Sequence, residues 1–358
     1  MNAGQEAVRL AREAESVLGA LMGRRAAGVP AELCRRVVAL DVAIQKTLRE
    51  MLWSSMKDPS AQHSKQLVMI YDIEGTTTPL PFVTKVLYPY SERAMEQFVQ
   101  TYVTDDAVDR AFGSTASPDP CVALLRSIVA AHPLPSGSTP SPASVRMFVV
   151  KVLLDEINAN SKAVHLKQVQ GMIWRAGYET GQLKGRVFPD AAETIRSLSK
   201  SGRVSQHIFS SGSITAQQLL FKHSTEGDLT QHLDGYHDPQ AVGPKVEPAS
   251  YQRLQDRIQG TLQGPSPVFV FVTDSVTEIK AAQQAGMVCI LCARPMNQAL
   301  VDVEGLRDFG VVTSFSQLNS ALCWVLETAS RCVAEHVAIV EQTQPYSADQ
   351  RLFQLSHF

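Results

Sequence analysis

Leu67-Val68-Met69-Ile70-Tyr71-Asp72-Ile73-Glu74-Gly75-Thr76-Thr77-Thr78 decides how the rest of the chain is read. Its apolar run is too short for a packed helix and right for a buried strand, and it ends abruptly on a carboxylate. Gly75 and the threonines that follow break the run and make a turn. In an open α/β sheet, a carboxylate at the C-terminal end of a strand points into the crevice where ligands bind. Taken alone, Asp72 reads equally well as a turn cap that happens to follow a strand. The other strands decide between the two.

Downstream of this stretch, strand and helix signals alternate. Asp190 to Ser199 has a helical pattern, His207-Ile208-Phe209 reads as a short strand, and Ser210-Ser211-Gly212-Ser213 as a turn opening a helix from Ile214 to Phe221. A loop containing Gly243-Pro244-Lys245 leads to a helix over Pro248 to Ile258. Val268 to Val272 is a strand ending in Thr273-Asp274-Ser275, followed by a helix from Glu278 to Ala285. Val288 to Leu291 is a further strand, and Gly310-Val311-Val312 fits an edge strand. This βαβα order predicts a doubly wound parallel sheet of the α/β class. More than a hundred mostly helical residues separate the first strand from the next, an insertion whose size suggests a separate helical lid.

The expected division is a helical N-terminal extension and linker over 1–65, an α/β core over 66–79 and 186–317, a helical cap over 80–185, and a C-terminal helix and tail over 318–358. Residues 4–53 carry two apolar stripes at helical spacing, the first including Leu10, Ala14 and Val17, the second Leu33, Leu40, Ile44 and Leu48. These terminal helices are expected to bury their stripes on the core or to mediate self-association.

The formal net charge of −2 and 44% hydrophobic content describe an ordinary globular protein and give no hint of nucleic acid or an acidic membrane as partner. No apolar run reaches the length that spans a bilayer, and the first residues lack the features of a leader. Six scattered cysteines fit reduced thiols in the cytoplasm. Cys289 and Cys292 have redox or zinc spacing, but they sit in an apolar run with no second pair, so a buried core role is expected.

Two apolar strands therefore end on acids, at Asp72 and Asp274. If they neighbour one another, their carboxylates converge at one sheet edge, a hard oxygen pair suited to Mg²⁺ and a substrate phosphate. Ser210 and Ser211 end a third strand at a helix start, where hydroxyls and amides form an anion site. Lys245 supplies the positive charge that phosphate needs. Each piece has a plain alternative, Ser as a helix cap and Lys as a surface charge. Together they describe phosphoryl transfer. Asp72 can attack phosphorus to form an aspartyl-phosphate, and Glu74, two residues on, can protonate the leaving oxygen and later activate water.

Asp72-Ile73-Glu74-Gly75-Thr76-Thr77-Thr78-Pro79 resembles the first motif of the haloacid-dehalogenase-like (HAD) phosphatases, in the variant of the methionine-salvage enolase-phosphatases, which carry Glu at the second acid. Val86-Leu87-Tyr88-Pro89-Tyr90, Gln170-Gly171-Met172-Ile173-Trp174, Phe209-Ser210-Ser211-Gly212-Ser213, Gly243-Pro244-Lys245 and Thr273-Asp274 are similar to the same subfamily, across residues 66–317. The resemblance implies a HAD-like Rossmannoid core with a helical cap. It also implies Mg²⁺-dependent conversion of 2,3-diketo-5-methylthiopentyl-1-phosphate to the acireductone plus phosphate. By position it makes Asp72 the nucleophile and a metal ligand, Glu74 the acid/base at the metal, Ser210, Ser211 and Lys245 the phosphate or substrate binders, and Asp274 the second metal carboxylate.

The sequence departs from the family pattern at His237-Asp238-Pro239, at Arg294-Pro295-Met296-Asn297 and around Asn158 to Lys162. These changes bear on substrate positioning more than on phosphatase chemistry. Two further readings stay open: a HAD-like phosphatase of shifted specificity, and a non-catalytic scaffold that uses its terminal helices for binding.

Overall fold

A computed structural model of the chain describes residues 3–22, 31–56, 67–113, 117–134, 141–159, 161, 163–262, 267–294, 297, 303, 306 and 309–328. The chain divides into two compact units, one of Met1–Thr77, Pro189–Ser211 and His232–Phe358, the other of Thr78–Phe188 and Gly212–Gln231.

The first unit is built on six strands: β1 (Leu67–Tyr71), β2 (Val204–Phe209), β3 (Gly235–His237), β4 (Val268–Thr273), β5 (Val288–Cys292) and β6 (Gly310–Val312). All pair in parallel, in the order β3-β2-β1-β4-β5-β6. β1, β2 and β4 are buried along their whole length, which is why β1 and β4 read as unbroken apolar runs rather than alternating ones. The chain steps outward from β1 in both directions, so Asp72 lies at the point where the strand order reverses.

Two strand assignments differ from the sequence reading. β2 begins at Val204, three residues early, because Ser205 and Gln206 are polar yet buried. Their polarity is satisfied internally. Tyr71 donates from its hydroxyl to Gln206 Oε1 at 2.9 Å, and Asp234 Oδ2 accepts from both Ser205 Oγ and the Gln206 amide. β3 went unread: it is three residues long, and Gly235 leaves room for the His207 ring where a Cβ would collide.

Around the sheet in this unit run α1 (Ala3–Met22), α2 (Ala31–Met56), α8 (Pro189–Lys200), α10 (Pro239–Val242), α11 (Pro248–Gln259), α12 (Val276–Gln284) and α13, helical over 315–328 where the described residues end. The terminal stripes bury on the same chain. Leu10, Ala14, Ile44, Leu48 and Leu52 are almost fully buried, and a Cβ at Gly310 would strike Leu48 and Met51, so α2 lies hard against β6. The outer side of α2 leaves Val38 and Val42 exposed. In α13, Leu318, Ala321, Leu322 and Val325 are buried, with Trp324 edge-on to Trp53. Of the C-terminal helix and tail expected over 318–358, the part beyond 328 lies outside the described residues.

The second unit is helical: α3 (Tyr88–Tyr102), α4 (Asp105–Phe112), α5 (Pro120–Ala131), α6 (Pro142–Asn158), α7 (Val164–Glu179) and α9 (Ile214–Lys222). α3 and α4 are separated by a break at Val103 and Thr104. Val103 is extended, and Thr104 caps the second helix by accepting from the Ala107 amide. Met95, Val99, Leu125, Val149, Leu153 and Val169 are among the residues of its apolar core. Gly177 allows α7 to lie against the ring of Tyr90, where any Cβ would collide.

Candidate active site

Strand register brings the acids together. Tyr71 pairs with Val272, and the Asp72 amide continues the ladder by donating to Val272 O at 2.9 Å. Asp72 and Thr273 therefore end neighbouring strands at the same level, and Thr273 Oγ1 donates to Asp72 Oδ2 at 3.0 Å. The other carboxylate oxygen, Oδ1, accepts from the Ile73 amide at 2.8 Å and from Lys245 Nζ at 2.6 Å. Lys245 also pairs with Glu278 Oε2 at 2.9 Å. Both ion pairs are nearly dry, with the side chains of Asp72 and Lys245 less than a tenth exposed.

Lys245 reaches this position from the turn after α10. Gly243 adopts φ 106°, a conformation that other residues rarely take, and the carbonyl of Lys245 accepts from the Tyr251 hydroxyl at 2.7 Å. The ammonium lies over the Phe209 ring at 5.4 Å and the Phe271 ring at 5.8 Å. Burial disfavours its charge, but Asp72 and Glu278 outweigh that, so the ammonium is held above its ordinary range.

Asp274 stands against the turn that follows Asp72. Gly75 has φ 73°, and a Cβ there would run into the Asp274 carboxylate. Burial, then repulsion from Asp72, raises the Asp274 pKa from 3.8 to about 7, with Glu74 adding to the rise. Burial and Asp72 also push Glu278 upward. Thr273 Oγ1 sits within hydrogen-bond distance of both Asp72 and Glu278 at 2.9–3.0 Å, yet carries a single proton. That proton serves one carboxylate at a time.

Of the residues expected from sequence, Asp72, Lys245 and Asp274 come together directly. Glu74 is partly exposed and its charge is felt at Asp274. Ser210 follows β2 at the same sheet edge, buried, with its amide donating to His237 O at 3.2 Å. Ser211 follows with an exposed side chain.

Sequence reasoning did not assign a role to Glu278, Thr273, Arg294 or Asn297. Arg294 is buried. It forms a two-pronged ion pair with Asp190 at 3.0 and 3.1 Å, and its Nε donates to Thr76 O at 2.8 Å. Asn297 Nδ2 donates to Gly75 O at 2.9 Å. Together they fix the carbonyls of the turn that bears Glu74. Glu278 had a readable signal, since it falls one helical turn after Asp274 at the start of α12. Arg294 and Asn297 had none for this contact, because they reach the turn through main-chain carbonyls more than two hundred positions away. Cys289 and Cys292 are fully buried in β5, and burial pushes both thiols up to about 12, as the core reading expected. Pro295 and Met296 lie outside the described residues.

Two outcomes follow from this geometry. Gly75→Ala is expected to lower turnover by about 100-fold, because the new methyl displaces Asp274 and small misplacements carry costs of that order. The forced left-handed φ adds about 1–3 kcal/mol of strain. Steady-state kinetics beside thermal melts measure both, and wild-type turnover in the variant would contradict the placement of Asp274. The second concerns pH. The folded protein keeps a proton on Asp274 that the unfolded chain loses above 3.8, so this contribution to stability is present below pH 4 and lost as pH rises through about 7. In chelator, Asp274→Asn, which mimics the protonated acid, is expected to melt close to wild type at pH 5 and above it at pH 8. A constant difference across that range would contradict the raised pKa.

No family model matches the chain. It is 36% identical over 252 residues to enolase-phosphatase E1 of Salmo salar, covering 70% of this chain and 94% of the relative. It is 37% identical over 253 residues to the protein of the same name from Xenopus tropicalis, with the same two coverages. Against that of Shewanella loihica it is 32% identical over 251 residues, covering 70% of this chain and 97% of the relative. Among solved structures, it is similar to the crystal structure of the UTR4 protein of Saccharomyces cerevisiae, with a TM-score of 0.52 and 28% identity over 70% of this chain and 98% of that one.

Proposed function

We propose that this chain, which belongs to the enolase-phosphatase E1 family, converts 2,3-diketo-5-methylthiopentyl-1-phosphate to the acireductone and inorganic phosphate. The observation that carries this reading is the Asp72–Lys245 ion pair of 2.6 Å, held at the sheet's switch point with Asp274 beside it. A buried cation on the nucleophile offsets its repulsion from a phosphate dianion.

The substrate first enolises, a proton moving from C1 to the oxygen on C2, and Asp72 then attacks phosphorus. The bond from phosphorus to the substrate oxygen breaks, and Glu74 delivers a proton to that leaving oxygen. Glu74, now a carboxylate, takes a proton from water as the water oxygen attacks the aspartyl-phosphate, which frees phosphate and restores Asp72. Lys245 carries positive charge toward the transferring oxygens throughout. Ser210 and Ser211 bind the phosphate from the end of β2. Arg294 and Asn297 position Glu74 by holding its turn.

The donor set fits Mg²⁺. It offers hard carboxylate oxygens only, and the carboxyl of Asp274 is crowded enough to hold a proton up to about pH 7, a cost that a cation relieves. Asp72, Glu74 and Asp274 would hold the ion. When bound, it supplies Lewis-acid stabilisation of the phosphoryl oxygens. The substrate is a small phosphorylated molecule met in a reducing, cytoplasmic compartment, a reading supported by free thiols at Cys34, Cys121, Cys289, Cys292 and Cys323. No helix among the described residues is long and apolar enough to cross a membrane.

The test is to follow phosphate and acireductone together from the diketo phosphate, with Mg²⁺ and with chelator. Both products are expected with Mg²⁺ and neither with chelator. Phosphate from other phosphoesters but not from this one would replace the proposal with shifted specificity. Neither product from folded, Mg²⁺-supplied protein would overturn the catalytic reading.

A further inference from the structure

The helical unit contains a polar cluster that phosphate chemistry does not use. α5 ends at Ala131, and His132 follows it as the capping residue. Glu156 lies near the end of α6, and His165 is the second residue of α7. Three helix ends thus deliver three side chains to one point. His132 Nε2 lies 2.9 Å from Glu156 Oε1, and His165 Nε2 lies 2.9 Å from both carboxylate oxygens. One donor atom from each residue falls within 4.8 Å of the others. His165 and Glu156 are buried, while the side chain of His132 is 41% exposed.

A carboxylate buried beside an apolar core is costly unless a charge or a metal compensates it. Among the described residues, no lysine or arginine pairs with Glu156; its side-chain partners are the two imidazoles. Each imidazole provides a hydrogen bond to it. Both rings aim the same nitrogen at the same carboxylate, which an apolar pair of equal volume would spare the fold.

We infer that His132, Glu156 and His165 form a binding site for a zinc-class divalent ion that ties together the ends of α5, α6 and α7. Two imidazole nitrogens and one carboxylate oxygen make a three-ligand zinc set, with water in the fourth position. Zinc ligands at about 2.0–2.1 Å stand roughly 3.4 Å apart in a tetrahedron, so the hydrogen-bonded atoms need to part by only about half an ångström. In the ion-bound form each neutral imidazole carries its proton on Nδ1 and presents Nε2 as the ligand. The exposed side of His132 provides the route of entry and the place for the water. Nitrogen donors suit zinc and disfavour Mg²⁺, which separates this site from the carboxylate cluster around Asp72.

The test uses the full chain saturated with Mg²⁺, so that the carboxylate cluster is occupied. One equivalent of Zn²⁺ is expected to remain after gel filtration, measured by elemental analysis. Co²⁺ in its place is expected to give the visible absorption of a tetrahedral N/O site. His132→Ala and His165→Ala are each expected to weaken Zn²⁺ binding by at least about tenfold. His132 is half exposed at a helix end, so its variant keeps the test available if His165→Ala fails to fold. No retained zinc in folded wild type, or equal retention in His132→Ala, would overturn the inference.

Discussion

Phosphate release is expected to fall at least about 10⁴-fold in Asp72→Asn while the protein keeps its fold, in line with the loss of a nucleophile elsewhere. The amide has nearly the volume of the carboxylate and can still accept from the Ile73 amide that now bonds Oδ1. Lys245 retains Glu278 at 2.9 Å, so the substitution does not strand the ammonium without a partner. What disappears is the anionic oxygen that attacks phosphorus. Single-turnover phosphate release beside circular dichroism separates the two effects. Activity within tenfold of wild type would remove Asp72 from the reaction.

Lys245→Met is expected to damage both chemistry and stability. Without the ammonium, Asp72 and Glu278 face each other in a site where neither carboxylate is well solvated. Removing one partner from a buried ion pair costs about 3–5 kcal/mol, much more than an exposed pair contributes. Loss of the charge that meets the phosphoryl oxygens is expected to lower turnover by about 10²–10³-fold. The stability loss should shrink on acidification, because protonating Glu278, whose pKa burial and Asp72 already raise, removes the repulsion that the lysine had offset. Denaturant unfolding at pH 5 and pH 8 measures this. A penalty that does not change with pH would point to lost packing on Phe209 and Phe271 instead.

The two substitutions separate roles that the sequence could only place side by side. Asp72 and Asp274 were legible because each ends a fully buried strand, and an unbroken apolar run that stops on an acid leaves a sharp mark. The parallel order followed from the alternation of such runs with helices. β3 and the start of β2 were not legible, since their polar side chains are buried through mutual hydrogen bonds that a hydropathy pattern cannot show. Lys245 was found through its Gly-Pro turn, but its second partner, Glu278, belongs to a helix read as an ordinary crossover. Arg294 acts on the site through backbone carbonyls, and a carbonyl has no residue identity to read. The apolar stripes of α1 and α2 announced burial without naming the surface; β6 supplies it.

The most direct measurement is to quench the enzyme in acid during turnover of the diketo phosphate, reduce with borohydride, and sequence the peptides by mass spectrometry. An acyl phosphate on Asp72 would be reduced to homoserine, so substrate-dependent homoserine at position 72 is the expected result. Homoserine at another acid, or none while phosphate continues to form, would contradict nucleophilic attack by Asp72.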